Sequence, residues 1–346
     1  MRISISLGGS LSSLSLEEQV TYVREAEALG VHSVWTVEGW GKDAVTPLAY
    51  LAARTDKIRL GTAIMQISAR APAMTAMTAM TLAALSTNRF ILGLGVSGPQ
   101  VVEGLHGVRY DRPLSRLRET VEIVRRAFAG EKLDYQGDQF QLPLPDGPGR
   151  AIRLSEPANA QIPIYLATLG RRSLEYTGQI ADGWIGTSFT PEFGDALLGD
   201  IRKGADDAGR DLSGFDVHVG AAALAFTDNV EVLVEGERMG RAFTLGAMGS
   251  KNKNFYKDAY ARGGWADSAE EVQALWLAGR RKEAAAAVPR DMILQSNLFG
   301  SDEQVRCRLV KYADAGVSSL KVQPRGKNLD ERLIALGRLM DIAKAL

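Results

Sequence analysis

The sequence predicts an α/β protein with a (β/α)8 barrel, and three observations carry that prediction. Short apolar strands alternate with helical segments along the chain, which indicates parallel strands joined by right-handed crossovers. Eight strand–helix units can be read from the sequence, over a core of about 250 residues, the size typical of this barrel. The segments ALGVHSVWTV (28–37) and DAGVSSLKVQ (314–323) share a helix end, Gly-Val, Ser and an apolar strand at the same offsets. We therefore expect one domain over residues 1–346.

The first half of the chain follows this alternation closely. The strand RISISL leads into the helix SLEEQVTYVREAEALG, for which Ser15 is the expected N-cap and Gly30 the expected stop signal. The next three strands are HSVWTV, KIRLGTAI and RFILGLG, and the helices after them are VTPLAYLAART, APAMTAMTAMTLAALS and RLRETVEIVRRAFAG.

The second half is less regular but supplies the remaining units. Its strands are IPIYLAT, DGWIGTS, FDVHVGAAALAF and SSLKVQP, and its helices are RRSLEYTGQI, FGDALLGDIRKGADDAG, EVLVEGERMGRAFTLG, SDEQVRCRLVKYADAG and DERLIALGRLMDIAKAL. Two insertions, at about 130–160 and 247–300, are predicted to be long loops that shape a pocket. The first contains the hairpin-like LDYQGDQFQLP, and the second is rich in Lys, Gly, Ala and Trp.

Composition excludes several classes of protein. With 41 basic and 41 acidic residues, the chain has no net charge to attract nucleic acid or an anionic membrane. The single Cys307 cannot form an internal disulfide framework. The start MRISISLGGS lacks the apolar core of a signal peptide, and no apolar stretch is long enough to span a bilayer. We expect a cytoplasmic protein.

The stretch GLGVSG (93–98) spells the glycine pattern of dinucleotide-binding folds. That fingerprint requires a second strand ending in an acidic residue about 20 residues on, and a helical pattern stands there instead. In a barrel the carboxyl ends of the strands form the active site. Gly95, Ser97 and Gly98 are therefore expected at that end, where missing side chains would let a ligand approach the backbone. The alternative is a strand-to-helix turn that needs positive φ.

Candidates for proton transfer are few. Glu38 ends the second strand, where an acid, a base or a hydrogen-bond acceptor for a cofactor would lie, and His106 falls on the same side of the barrel. His32 and His218 are expected to be structural. The strand ends show no paired ligand spacing for a metal.

A second candidate site follows the strand IPIYLAT. The loop Ala167, Thr168, Leu169 and Gly170 precedes a helix that begins with Arg171. Backbone N–H groups at a helix start, the positive end of the helix dipole and flanking arginines make a site for an anion. The alternative is a plain helix cap flanked by surface arginines.

Residues 34–104 and 162–187 resemble the bacterial luciferase-like oxidoreductases, and in particular their branch that uses the deazaflavin F420. The resemblance implies hydride transfer between deazaflavin C5 and a small organic substrate that the sequence does not identify. It also implies a non-proline cis peptide bond between Ala63 and Ile64 behind the cofactor ring, and a loop after IPIYLAT that binds the cofactor's phosphate or ribityl part. The further residues implied at the cofactor are Gln66, Arg70, for the carboxylate of its tail, and Thr187.

The sequence departs from the family pattern after Glu38. Some similar deazaflavin dehydrogenases carry an acidic residue followed by His, whereas this chain has Glu38-Gly39-Trp40. This argues against a His-based alcohol oxidation and makes Trp40 a candidate wall of the substrate pocket. Two alternatives remain open, an FMN-dependent monooxygenase of the same fold and a non-catalytic cofactor-binding barrel.

The resemblance also bears on assembly. Met74, Met77 and Met80 recur every three residues in one predicted helix, a pattern typical of a core face or a subunit contact. Because the family commonly dimerises through barrel helices, we expect a homodimer.

Overall fold

A computed structural model describes residues 1–248 and 254–346 and confirms the predicted barrel. The strands are β1 (Arg2–Ser6), β2 (Ser33–Thr36), β3 (Arg59–Thr62), β4 (Met65–Gln66), β5 (Phe90–Gly95), β6 (Tyr135–Gln136), β7 (Gln141–Leu142), β8 (Ile164–Ala167), β9 (Gly183–Gly186), β10 (Asp216–Phe226), β11 (Leu298–Gly300) and β12 (Ser319–Pro324). Each of the predicted strands is present, within one or two residues of its expected limits.

The helices between them are α1 (Leu16–Leu29), α2 (Thr46–Ala52), α3 (Pro72–Leu85), α4 (Pro99–Val102), α5 (Pro113–Phe128), α6 (Arg171–Ile180), α7 (Asp195–Asp207), α8 (Val230–Ala247), α9 (Phe255–Tyr260), α10 (Ala266–Leu277), α11 (Arg281–Ala286), α12 (Arg290–Gln295), α13 (Asp302–Asp314) and α14 (Leu329–Lys344). Every predicted helix is present, and five further helices, α4 and α9 to α12, were not predicted. No helix among the described residues is both long enough and apolar enough to cross a bilayer.

Strand pairing closes the barrel. The hydrogen-bonded neighbours run β1-β2-β3-β5-β8-β9-β10-β12 and return to β1, while β4 also pairs with β5 and β11 with β10. By contacts the chain divides into two compact units, Trp35–Ala167 and Met1–Val34 with Thr168–Leu346. The expected single domain over residues 1–346 stays a prediction.

Local sequence signals explain the first helix. The Ser15 side chain accepts from the backbone N–H of Glu18, and the Glu18 carboxylate accepts from the Ser15 N–H at 2.8 Å. Gly30 ends the helix at φ 90°, a conformation that costs an L side chain energy and costs glycine nothing. Both expectations for this helix are confirmed.

Helices α6 and α7 approach through two glycines. A Cβ on Gly178 would lie 1.9 Å from the carbonyl oxygen of Ile201, and a Cβ on Gly204 would lie 1.9 Å from the carbonyl oxygen of Glu175. Because backbone occupies both places, no side-chain movement could make room. This contact holds the helix that starts after β8.

Gly204→Ala is therefore expected to lower the free energy of unfolding by about 3 kcal/mol, since α6 and α7 must separate. Gly199→Ala, in the same helix, is the matched control. Its Cβ would have no neighbour closer than 3.9 Å, so helix propensity should raise stability by up to about 1 kcal/mol. Urea unfolding of the two variants and the wild type measures both effects, and equal stabilities would contradict the close contact.

The two insertions differ from one another. The first contains the expected hairpin, with Tyr135 opposite Leu142 in antiparallel β6 and β7. The second insertion, at 247–300, was predicted to be a long loop. Where the structure describes this segment the prediction is wrong, because α9 to α12 and β11 form there. Residues 249–253 lie outside the described residues. Apolar side chains at helical spacing, including Val272, Ala284 and Met292, bury against Val234 and Leu245 of α8. That burial stabilises the helices.

The methionine series in α3 does not form one face. Met80 is buried, whereas Met74 and Met77 are 51% and 45% exposed. Three-residue spacing falls about 60° short of a full turn at each step, so the series drifts around the helix. Of these three methionines, only Met80 is a core residue.

Candidate active site

The Glu38 carboxylate, two residues beyond β2, binds four donors. Oε2 accepts from Arg70 Nη1 at 2.7 Å and from the Gln66 backbone N–H at 3.0 Å, and Oε1 accepts from Arg70 Nη2 at 2.7 Å and from the Ala44 backbone N–H at 3.2 Å. The side chain is only 8% exposed. A carboxylate that accepts four hydrogen bonds holds its neighbours in place, and its predicted role as an acid or a base stays a prediction.

Arg70 is the partner of this carboxylate. Its guanidinium is 19% exposed and forms the two-pronged pair with Glu38, and these hydrogen bonds raise the pKa of Arg70. Both terminal nitrogens of Arg70 donate to Glu38. The structure therefore does not show an interaction of Arg70 with the carboxylate of a cofactor tail, which stays a prediction. The sequence did contain a signal for this pair, because an acidic and a basic residue follow β2 and β4, whose ends lie on the same side of the barrel. The two residues are separated by 32 positions, so their spacing alone does not predict the contact.

Gln66 connects Glu38 to His106. The fully buried Gln66 amide places Nε2 2.5 Å from His106 Nε2. As oriented, the amide donates to the imidazole, so a neutral ring carries its proton on Nδ1. The Gln66 Oε1 atom is buried and has no hydrogen-bond partner among the described residues. The structure thus brings together four of the predicted residues: Glu38, Gln66, Arg70 and His106.

The cis peptide bond between Ala63 and Ile64 is confirmed. Its Ile64 side chain explains Gly95, because a Cβ on Gly95 would lie 2.6 Å from Ile64 Cδ1. The absence of a side chain at Gly95 thus makes room for Ile64, and the predicted contact of Gly95 with a ligand stays a prediction. Positive φ in this stretch occurs at Ser97, with φ 59°, and Gly98 precedes α4 with φ −109°.

Trp40 lies in the irregular segment between β2 and α2. Its side chain is 70% exposed, unusual for so large an apolar group. The predicted role as a wall of the substrate pocket is compatible with this exposure and stays a prediction.

The loop after β8 opens helix α6 without a side-chain cap. Gly170 is the N-cap residue, with φ −75° and ψ 145°, and no side chain accepts from the first turn. Thr168 fixes the loop, because its hydroxyl lies 2.7 Å from Thr177 Oγ1 and its carbonyl accepts from Trp184 Nε1 at 2.9 Å. The N–H groups of Ser173 and Leu174 donate to the Gly170 carbonyl at 3.0 and 2.9 Å, so the N–H groups that the helix start offers to an anion are those of Arg171 and Arg172.

Two arginines flank this helix start. The Arg171 side chain is 73% exposed and its Nε lies 3.6 Å from Asp200 Oδ1. Arg262 donates to the carbonyl oxygen of Leu169 and lies 2.9 Å from Asp200 Oδ2. Arg262 was missed by sequence reasoning, because it comes from an insertion that no strand-end pattern marks. Thr187 follows β9 and is half-buried.

Comparison with known proteins identifies the family. The model for luciferase-like monooxygenases matches residues 2–319. The chain is 37% identical over 307 residues to Rv3520c of Mycobacterium tuberculosis, a candidate coenzyme F420-dependent oxidoreductase, with 87% of this chain and 88% of that protein covered.

Solved structures share the fold. The F420-dependent tetrahydromethanopterin reductase from Methanopyrus kandleri superposes with a TM-score of 0.77 at 22% identity, covering 97% of each chain. An F420-dependent secondary alcohol dehydrogenase, in complex with an F420–acetone adduct, gives a TM-score of 0.77 at 18% identity, covering 99% of this chain and 98% of that one. From the family match along nearly all of its length, the chain belongs to the luciferase-like monooxygenase family.

Proposed function

We propose that this chain is an F420-dependent oxidoreductase that transfers a hydride between deazaflavin C5 and a small organic substrate. The observation that carries the proposal is the 37% identity, across 87% of this chain, to the mycobacterial candidate F420-dependent oxidoreductase. When bound, F420 supplies the carbon that gives or takes the hydride. The chain's own residues bind and orient the cofactor and the substrate, and they move protons.

Two features of the structure fit such a cofactor. Gln66 Oε1 is a buried acceptor without a described partner, which suits an N–H donor on a deazaflavin ring. Independently, the uncapped start of α6 beside the exposed Arg171 suits an anionic group of the cofactor. Ala63, Ile64, Gly95, Ser97, Gly98, Ala167, Thr168, Leu169, Gly170 and Thr187 complete the proposed set of cofactor residues.

His106 is the proposed proton carrier. It is exposed and joined to Gln66 by one ring nitrogen, which leaves the other nitrogen for exchange with substrate or water. Glu38, which accepts four hydrogen bonds, is proposed to hold Gln66 and Arg70 in position, as an alternative to its predicted role as an acid or a base.

Titration of the purified protein with F420 and, separately, with FMN tests the proposal, followed by cofactor fluorescence. We expect F420 to bind tightly and FMN weakly. Arg171→Ala should weaken F420 binding by about tenfold, a loss of about 1.4 kcal/mol. Arg202→Ala, an exposed arginine in α7 paired with Asp195, is the matched control and should not change it. Failure of F420 to bind would overturn the proposal.

An FMN-dependent monooxygenase is the second candidate, favoured by the description of the family itself. Preference for FMN in the titration, with FMN-dependent oxygen uptake on adding substrate, would establish it. Binding of neither cofactor would leave a non-catalytic barrel.

We also propose a cytoplasmic homodimer. Met74 and Met77 expose apolar surface on α3, and a second copy of the chain would bury it. Light scattering at micromolar concentration should give twice the monomer mass of 37.4 kDa. The monomer mass would contradict the dimer.

A further inference from the structure

One face of three neighbouring strands is polar. The register places Ser4 of β1 and Gly220 of β10 beside Lys321 of β12. Because successive side chains of a strand lie on opposite faces, every second residue of these strands shares the face of Lys321. We call that group the polar strip: Arg2, Ser4, Asp216, His218, Gly220, Ser319 and Lys321. The opposite face of the same strands is apolar, with Ile3, Ile5, Val219, Leu320 and Val322 buried.

The charges of the polar strip do not cancel. Arg2 Nη2 lies 2.8 Å from Asp216 Oδ1, and the Ser319 hydroxyl donates to Asp216 Oδ2 at 3.1 Å. His218 Nε2 lies 2.8 Å from Ser4 Oγ, and burial, together with the nearby Lys321 charge, lowers the pKa of His218 well below its usual value. The charges of Arg2 and Asp216 cancel, and the imidazole of His218 is neutral. The amine of Lys321 is therefore the remaining, uncompensated charge of the polar strip.

Lys321 is 6% exposed. No ion pair or hydrogen bond to its amine occurs within residues 1–248 and 254–346. Burial lowers the pKa of Lys321 to about 8, and no carboxylate of the described residues contributes to raise it. If Lys321 served only for packing, burial of its charged amine would lower the stability of the fold, since an apolar side chain fills the same space more favourably.

Strand β10 is shaped around this lysine. A Cβ on Gly220 would lie 2.5 Å from Lys321 Cε and 2.7 Å from Lys321 Cβ. The register between β10 and β12 also shifts between Gly220 and Ala222, and such bulges commonly redirect side chains near functional sites. Absence of a side chain at Gly220 thus gives the lysine stem its place beside β10.

We propose that the Lys321 amine binds the anionic oxygen of a small organic acid, whose charge replaces the missing carboxylate partner. Binding of the anion itself does not depend on F420, so the two proposals can fail separately.

Thermal unfolding of the cofactor-free protein at pH 7 tests the proposal, with sodium acetate or sodium phosphate replacing sodium chloride at constant ionic strength. In the wild type, acetate should raise the Tm in a saturable way, because a ligand of the native state stabilises it by mass action. Lys321→Met should abolish that rise. Lys282→Met, which removes an exposed lysine of α11, is the control and should keep it.

Each outcome decides the proposal. A rise with phosphate but not acetate would keep the anionic-oxygen site and assign it to a phosphate-bearing ligand. No saturable rise with either anion, or the same rise in Lys321→Met, would overturn it. If Lys321→Met does not fold, the wild type alone gives the answer: the acetate effect must disappear by about pH 10, where the amine has lost its charge. An effect that persists there would also overturn the site.

Discussion

Glu38→Gln is expected to lower the free energy of unfolding by about 3 kcal/mol, because it leaves the largely buried guanidinium of Arg70 without its paired carboxylate and with only the weaker attraction of Asp43. The amide would also present an N–H group toward either Arg70 or the Gln66 backbone, both of which donate to Glu38 in the wild type. Urea unfolding measures the loss. Gln66 should lose its fixed position as well, and with it the contact to His106.

Glu231→Gln is the matched control for this change. Glu231 also pairs with an arginine, Arg290 at 2.6 Å, but the two side chains are 58% and 48% exposed. Exposed pairs contribute little to stability because water screens them, so no measurable change is expected. If Glu38→Gln proved as harmless as Glu231→Gln, the Glu38–Arg70 pair would not organise the site.

The second large effect is a rise in stability at alkaline pH that depends on Lys321. Burial lowers the pKa of Lys321 from 10.5 in the unfolded chain to about 8 in the folded protein. Between these two values the unfolded state binds more protons, so the free energy of unfolding rises with pH in this window. The full difference corresponds to about 3 kcal/mol.

Comparison with Lys321→Met isolates this contribution, because other groups also titrate above pH 8. At pH 7 the variant should be more stable than the wild type by about 3 kcal/mol, and the advantage should shrink toward about pH 10.5 as the wild-type amine becomes neutral. Urea unfolding across the range measures the difference. A constant difference, or a variant less stable at pH 7, would show that the lysine carries no buried charge.

Much of the fold was predictable because its signals are local. Ser15 and Gly30 delimit α1 through contacts within one helical turn, and the alternation of apolar strands with helices leaves few topologies other than a barrel. The start of α6 at Arg171 followed from the same pattern. The cis bond at Ala63–Ile64 was expected from the family resemblance, since spacing and composition contain no signal for it.

Errors arose where distant residues decide the outcome. The segment beyond residue 254 was expected to be a loop, yet it is helical because its apolar residues bury against α8. The packing of Ile64 against Gly95 was not foreseen, because the two residues are 31 positions apart in the sequence. Arg262 was absent from the candidate site because a contact across 93 positions, to Leu169, leaves no local trace.

The sequence by itself determined the order of strands and helices, the strand ends where chemistry would lie, and the residue types available there. Only the tertiary structure decided which charges are paired: Arg70 is neutralised by Glu38, whereas Lys321 has no partner in the part of the chain that the structure describes. The physical reason is that strand and helix formation depends on neighbours within a few positions. The state of a charge depends on its burial and on which groups the closed barrel brings within hydrogen-bond distance.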